Sequence, residues 1–249
     1  MAGYQQITLT QLVTLLQARF DNVNFWSNNE YVDSLNEALS VFQLATGRWR
    51  KRYIVTTVPN RVFYSIPDLP QLQVAGICQV LAPIRVSFNN GKPLGWTSFS
   101  DLDMAYPGWQ AVTTATPGAP SQPTMCGPAG LNLLWTWPAD AAGGNSLQMD
   151  VITNAPQLVA PGDFVNVDET EIVGILDYSQ HRLSLKRGGI FFARTLPLLK
   201  SFYQMLADRN SYLLNISAFR QQIGADFARN YAPRRQSERS GTPVSLGVR

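Results

Sequence analysis

Residues 27–58 read SNNEYVDSLNEALSVFQLATGRWRKRYIVTTV, and the chain changes character in the middle of them. Tyr31, Leu35, Ala38, Phe42 and Ala45 recur at offsets of three and four, which is one stripe of an amphipathic helix. Ser27 or Asn28 can cap its start, and Gly47 stops it. From Trp49 the chain turns β-branched and aromatic, so RYIVTTV (52–58) reads as a strand.

The same handover can be followed outward. Upstream, Leu9, Leu12, Val13, Leu16 and Phe20 give a helix over residues 8–20, with Thr8 as its cap. Downstream, RYIVTTV and RVFYSIP (61–67) flank Pro59-Asn60 and read as a hairpin. VLAPIRVSF (80–88) and KPLGWTSF (92–99) flank Asn89-Asn90-Gly91, a turn whose residues tolerate positive φ. LNLLWTW (131–137) and SLQMDVIT (146–153) are two further strands around PADAAGGN. Residues 100–130, dense in Pro, Gly, Ser and Thr, read as a long irregular excursion. Several short strands with turn signals point to a small sandwich or barrel-like sheet.

Helical character returns after Val167. Asp168, Glu169 and Glu171 suit the positive end of a helix dipole. Ile172, Ile175, Leu176, Ser179 and Leu183 mark the buried face, and Gly188-Gly189 end it. A last helical segment runs from about Ile190 to Gln222 with Leu199, Phe202, Leu206 and Leu213 aligned, and Pro197 kinks or restarts it. The expected fold class is therefore α+β. Residues 1–48 and 165–224 form a helical bundle, 49–164 a β-rich insertion, and 225–249 an extended basic arm.

That arm, ADFARNYAPRRQSERSGTPVSLGVR, carries five arginines against Asp226 and Glu238. The chain has 20 basic and 17 acidic side chains, so the first 224 residues hold fifteen of each and are neutral. With so few large apolar residues the arm buries too little to offset the entropy of ordering, so composition leaves two readings, a frayed terminus and an arm that orders only on a partner. Only 15% of the chain is charged, against the usual quarter or so. Few charges and six tryptophans fit a surface partly covered by neighbours, although any single Trp is more often a core residue. No run of about twenty apolar residues and no signal-peptide pattern is present, so no membrane association is expected.

Signals for chemistry are sparse. The single histidine, His181, falls mid-helix and reads as structural. Cys78 and Cys126 lack metal-like spacing and read as free thiols. Lys92 follows a glycine, but the rest of a phosphate-binding loop is missing. Asp163, Asp168, Glu169 and Glu171 cluster, as do Asp101 and Asp103; dipole compensation and turn formation account for them without a cation. No catalytic residue, metal or cofactor is expected. Two rival readings remain. One is a carbohydrate- or surface-binding module using exposed loop residues Trp96 and Trp109 with Asp101 and Asp103. The other is a hydrolase pairing Asp101 with Asp103 or Glu171.

Four stretches carry a resemblance. They are WSNNEYVDSLNEALSVFQLATGRWRKRY (26–53), RVFYSIP (61–67), SFSDLDMAYPGWQ (98–110) and ARTLPLLKSFYQMLADRN (193–210). In order and spacing they resemble the head-to-tail adaptor (connector) proteins of tailed bacteriophages, especially short-tailed ones, over nearly all of residues 8–222. The resemblance implies a structural virion protein, not an enzyme, assembled as a ring with twelve copies the expected number. It would sit in the neck, between the portal protein and the tail nozzle, with tail fibres as a further contact. Subunits would wait in the host cytoplasm during assembly, and double-stranded DNA would pass through the ring during ejection without sequence-specific binding. The arm, which no motif of the resemblance covers, is expected to bind the portal through Phe227, Arg229, Tyr231, Arg234, Arg235, Arg239 and Leu246. Trp96, Asp101, Asp103 and Trp109 are the expected loop contacts of the β-rich part.

Overall fold

The computed structural model describes residues 4–89, 91–109, 121–130 and 132–215. Residues 1–210 form one compact unit; of the second unit, 211–249, only the end of the last helix is described, so every arm residue named above lies outside the described residues. The chain is α+β. Its N-terminal part is β1 (Gln5–Thr8), α1 (Leu9–Gln17), a 3-10 turn at Val23–Phe25 and α2 (Asn28–Thr46). The strand-rich part holds β2 (Arg50–Thr56), β3 (Phe63–Ser65), β4 (Gln73–Val74), β5 (Ile77–Cys78), β6 (Val80–Phe88), β7 (Lys92–Pro93) and β8 (Gly95–Trp96). After α3 (Phe99–Ala105) come β9 (Met125–Pro128), β10 (Leu133–Trp137), β11 (Ser146–Thr153) and β12 (Phe164–Val167). α4 (Glu169–Arg187), α5 (Gly189–Arg194) and α6 (Leu196–Asn215) follow.

The helices start where local chemistry says they should. Thr8, Ser27, Ser98 and Asp168 each cap a helix, and the residue three positions on returns its side chain to the cap's own N–H. Each such box satisfies two backbone donors that the first turn leaves unpaired. α2 ends at Gly47, which takes a left-handed conformation (φ 57°) and leaves room for a Cβ only by pushing Ile152. Tyr31, Leu35, Ala38 and Leu39 of α2 pack with Leu12 and Leu16 of α1 and Ile172, Ile175 and Leu183 of α4. Ala45 is exposed and Thr46 takes its place inside. α2 and α4 approach closely through Ser34 and Ser179, whose hydroxyls bond each other's carbonyls at 2.9 and 3.3 Å. Phe202, Met205 and Leu206 of α6 close over Phe42 in a separate cluster. The α2 stripe is thus split: α1 and α4 cover its first half, α6 its end. The segment after Gly188 breaks at Thr195, and Pro197 sits in the first turn of the restarted helix, where it sacrifices no hydrogen bond.

The strand-rich part is a two-layer sandwich with open edges, and not a closed barrel. One sheet has the order β2-β11-β6-β7, the other β3-β10-β9-β8. Val55, Val86, Phe88, Leu147 and Met149 from the first face Tyr64, Cys126 and Leu134 from the second. The turn at Asn89–Gly91 does join a hairpin, β6–β7. The turn at Pro59-Asn60 does not: β2 pairs with β11 and β3 pairs with β10, so the chain crosses from one sheet to the other there. It crosses back between β10 and β11. The two crossovers are tied together by the buried Asp140, which accepts from the Thr57 hydroxyl and from the Asn145 amide at 2.9 Å. A hairpin signal reports a reversal of direction; it cannot report which neighbour each strand then chooses.

β1 was not anticipated. It pairs antiparallel with β12, from Gln5 opposite Val167 to Thr8 opposite Phe164, and holds the first strand against the entry to α4.

Candidate assembly surfaces

The acidic cluster at the start of α4 is a clamp built with arginines. Asp168 and Glu171 are buried, and their capping hydrogen bonds are both 2.9 Å. Arg48, just past α2, pairs with Glu171 and donates to the Asn166 carbonyl at 2.6 Å. Arg209 of α6 pairs with Asp168 and lies 3.7 Å from Glu171. Burial pushes the Glu171 carboxyl above its ordinary value, and Arg48 opposes that shift. Asp163 instead accepts the Val159 and Ala160 N–H groups at 2.7 and 2.8 Å, which pulls its carboxyl down. Among the described residues no group of His, Cys, Asp or Glu is arranged to hold a metal ion.

The loop residues singled out from the sequence have internal partners. α3, inside the stretch expected to be irregular, covers the outer face of the β3-β10-β9-β8 sheet. Trp109 is only 4% exposed, its ring stacked 6.1 Å from Phe99, and its indole N–H donates to Asp103 at 2.6 Å. Asp101 belongs to the α3 capping box, accepts from the Ser98 hydroxyl at 2.7 Å, and is held below its ordinary pKa by it. Trp96 is half-buried against the sandwich core. Trp109 is therefore not the exposed platform that sugar binding would need: Trp135 and Trp137 on the same face of β10 require a cover, and α3 supplies it. Trp26, Trp109, Trp135 and Trp137 are all buried, so tryptophan marks the cores here and not the surface.

His181 is also structural. Its Nδ1 lies 2.9 Å from the Thr195 hydroxyl at the α5–α6 break, and burial lowers its pKa. Cys126 is enclosed in the sandwich core, and burial pushes its thiol up to about 12.

Exposed apolar side chains occur over both layers, and two unlike groups of them lie on the helical layer. The first is an open groove of about 640 Å³ between β1, α1 and the first half of α4. Leu15 and Val173 line it, each more than two-fifths exposed, with Ile172 and Leu176 behind them. Glu169 stands in its lining without a basic partner among the described residues, while Arg19 is taken by Asp177 at 2.6 Å. The second lies at the far end of α4. Ile190 (61% exposed) and Phe191 project from α5, and Arg187 lies over the Phe191 ring at 4.1 Å and the Phe25 ring at 5.8 Å. Sequence periodicity missed both, because it finds buried faces; what exposed them is apolar residues left over once the core is accounted for.

A protein-family model described as SU10 adaptor protein matches residues 7–239. The chain belongs to this family. It is a bacteriophage adaptor, a structural protein of the virion neck that associates with portal and tail components. The match runs past the last helix into the basic arm as far as Arg239, further than the motif resemblance reached. No curated protein matches the chain. No helix among the described residues is long and apolar enough to cross a membrane.

Proposed function

We propose that the chain forms a closed ring, with twelve copies the expected number, between the portal and the tail nozzle, and that the genome passes through it. Family membership supports a neck protein. The observation that carries the ring is the pair of unlike apolar surfaces on one rigid helical layer. Identical surfaces would make a two-fold dimer, whereas two different ones make head-to-tail contacts that close by rotation. A body with equal basic and acidic side chains suits a DNA conduit, since affinity for the duplex grows with the phosphates neutralised.

The division of labour follows the chain. Residues 1–48 and 165–224 build the ring wall and face the portal. Residues 49–164 face the tail, with the α3 region around Asp101 and Asp103 at the nozzle or fibres. Residues 225–249 reach into the portal, where Arg229, Arg234, Arg235 and Arg239 pair with carboxylates and Phe227, Tyr231 and Leu246 fill small pockets. Ordering such an arm costs about 1–2 kcal/mol per residue in backbone entropy, so attachment depends on many copies acting together. The test is negative-stain microscopy of the purified chain mixed with portal rings at physiological salt. Full-length protein should add a ring of density, and a chain lacking residues 225–249 should keep its circular-dichroism melt and fail to attach. Unchanged attachment of the shortened chain would show the arm to be dispensable.

A further inference from the structure

Charge along this chain comes in blocks. Residues 93–181 hold nine acidic side chains and no lysine or arginine, while 178–207 hold Arg182, Lys186, Arg187, Arg194 and Lys200 and no acidic residue. Among the described residues folding does not pair these blocks with each other, and the basic one finds two carboxylates in α2 instead. Arg182 meets Glu37 at 2.7 Å and Lys186 meets Glu30 at 2.8 Å. Arg187, Arg194 and Lys200 have no carboxylate partner among the described residues. Two of these three, Arg187 and Arg194, flank the exposed Ile190 and Phe191. The groove at the other end of α4 carries the opposite remainder: exposed Leu15 and Val173, with Glu169 as its unpaired charge.

We propose that the α5 knob of one copy, Ile190 and Phe191 with Arg187 and Arg194, seats in the β1–α1–α4 groove of the next copy, with its arginines toward Glu169. Apolar side chains fill an apolar groove, and two arginines without a carboxylate partner meet a carboxylate without a basic one. The two surfaces cannot meet within one chain. Both ride on α4, and the 18 steps from Glu169 to Arg187 hold them about 27 Å apart at ~1.5 Å per residue. A knob seated in the groove therefore belongs to a second copy of this chain. Duplex DNA would meet the same arginines but gains nothing from an exposed isoleucine and phenylalanine; an acidic protein partner has no matching groove to explain. This assignment rests on the ring reading above and names the residues that make it.

The experiment uses the full chain assembled on portal rings. A chain with Val173→Cys and Ile190→Cys should give, on mild oxidation, a ladder of linked subunits in denaturing gels. Chains with only one of the two substitutions should give no ladder. Phe191→Glu, at an exposed position, should keep the wild-type melt and lower the yield of complete rings at least tenfold. Arg187→Glu should do the same and be restored by Glu169→Arg in the same chain. Complete rings without a ladder, or rings from Phe191→Glu at wild-type yield, would each overturn this interface and leave the ring standing. If the wild-type chain forms no ring, both readings fall together.

Discussion

The helical layer and the sandwich are held by different kinds of information. In the helical layer α1, α2 and α4 are specified within their own segments: a capping box at the start, a glycine after α2 and α4, and an apolar stripe between. In the sandwich the strands are just as visible, but each takes its partner from far along the chain, as β2 does with β11 across some ninety residues. Local chemistry decides the first kind of structure completely and the second only halfway. The layers also differ in what they leave outside. The sandwich sets Tyr64, Trp135 and Trp137 on two covered faces of one sheet and leaves Ile54, Phe63 and Ile77 among its exposed side chains, whereas the helical layer leaves a groove and a knob uncovered.

The largest expected effect tests whether the two parts stand or fall together. Phe202 is fully buried between α6 and α2, and Phe202→Ala should cost about 3–5 kcal/mol. Because residues 1–210 form one compact unit, helix loss by far-ultraviolet circular dichroism and tryptophan fluorescence, which comes mainly from the sandwich, should shift together in urea. Two separated transitions would mean that the cores unfold independently. A smaller effect belongs to the crossovers. Asp140→Ala leaves the Thr57 hydroxyl and one Asn145 donor without their acceptor and should cost about 2 kcal/mol, measured by the same titration. A near-zero change would show that the β2–β3 and β10–β11 crossings hold without their tie.

How much of this was legible depended on the range of the interaction. The α2 stripe, its Gly47 stop and the α4 cap at Asp168 could be read because each is complete within a few residues. The β6–β7 hairpin was legible for the same reason. The pairing of β2 was not, since Pro59-Asn60 looks the same whether the next strand folds back or crosses over. β1 escaped because four residues with two glutamines carry no strand period. α3 was hidden by the turn-forming residues around it, although Ser98 and Asp101 form the same box as Ser27 and Glu30. Among the candidate residues, Trp109 was misjudged because exposure of a loop tryptophan depends on whether the neighbouring sheet needs a cover. The charge of residues 225–249 is legible in the sequence alone, and the groove and knob could be found only from the fold.

The smallest expected effect concerns pH and sits in the helical layer alone. Burial depresses the pKa of His181, so the folded state prefers the neutral ring more than the unfolded state does. Its contribution is present above the ordinary histidine value of about 6.5 and is lost as the pH falls from there through the folded value. The melting temperature should therefore drop between pH 7.5 and pH 5.5, and His181→Gln should flatten that drop. The carboxylates held low, including Glu30 at about 2, act in a lower window, from about 4.5 downward, and cannot mimic it. An unchanged slope in the variant would assign the drop to other groups.

The pairing of β1 with β12 also sets an order of events during synthesis. Strand β1 leaves the ribosome before β12, and some 160 residues separate the two partners. At roughly 5–20 residues per second the wait is about 8–30 s. Until β12 and the first turns of α4 arrive, the groove has only one wall. If the groove is the seat for a neighbour, a nascent chain has no complete seat to expose, and subunits become competent to join one another only after α4 has been made.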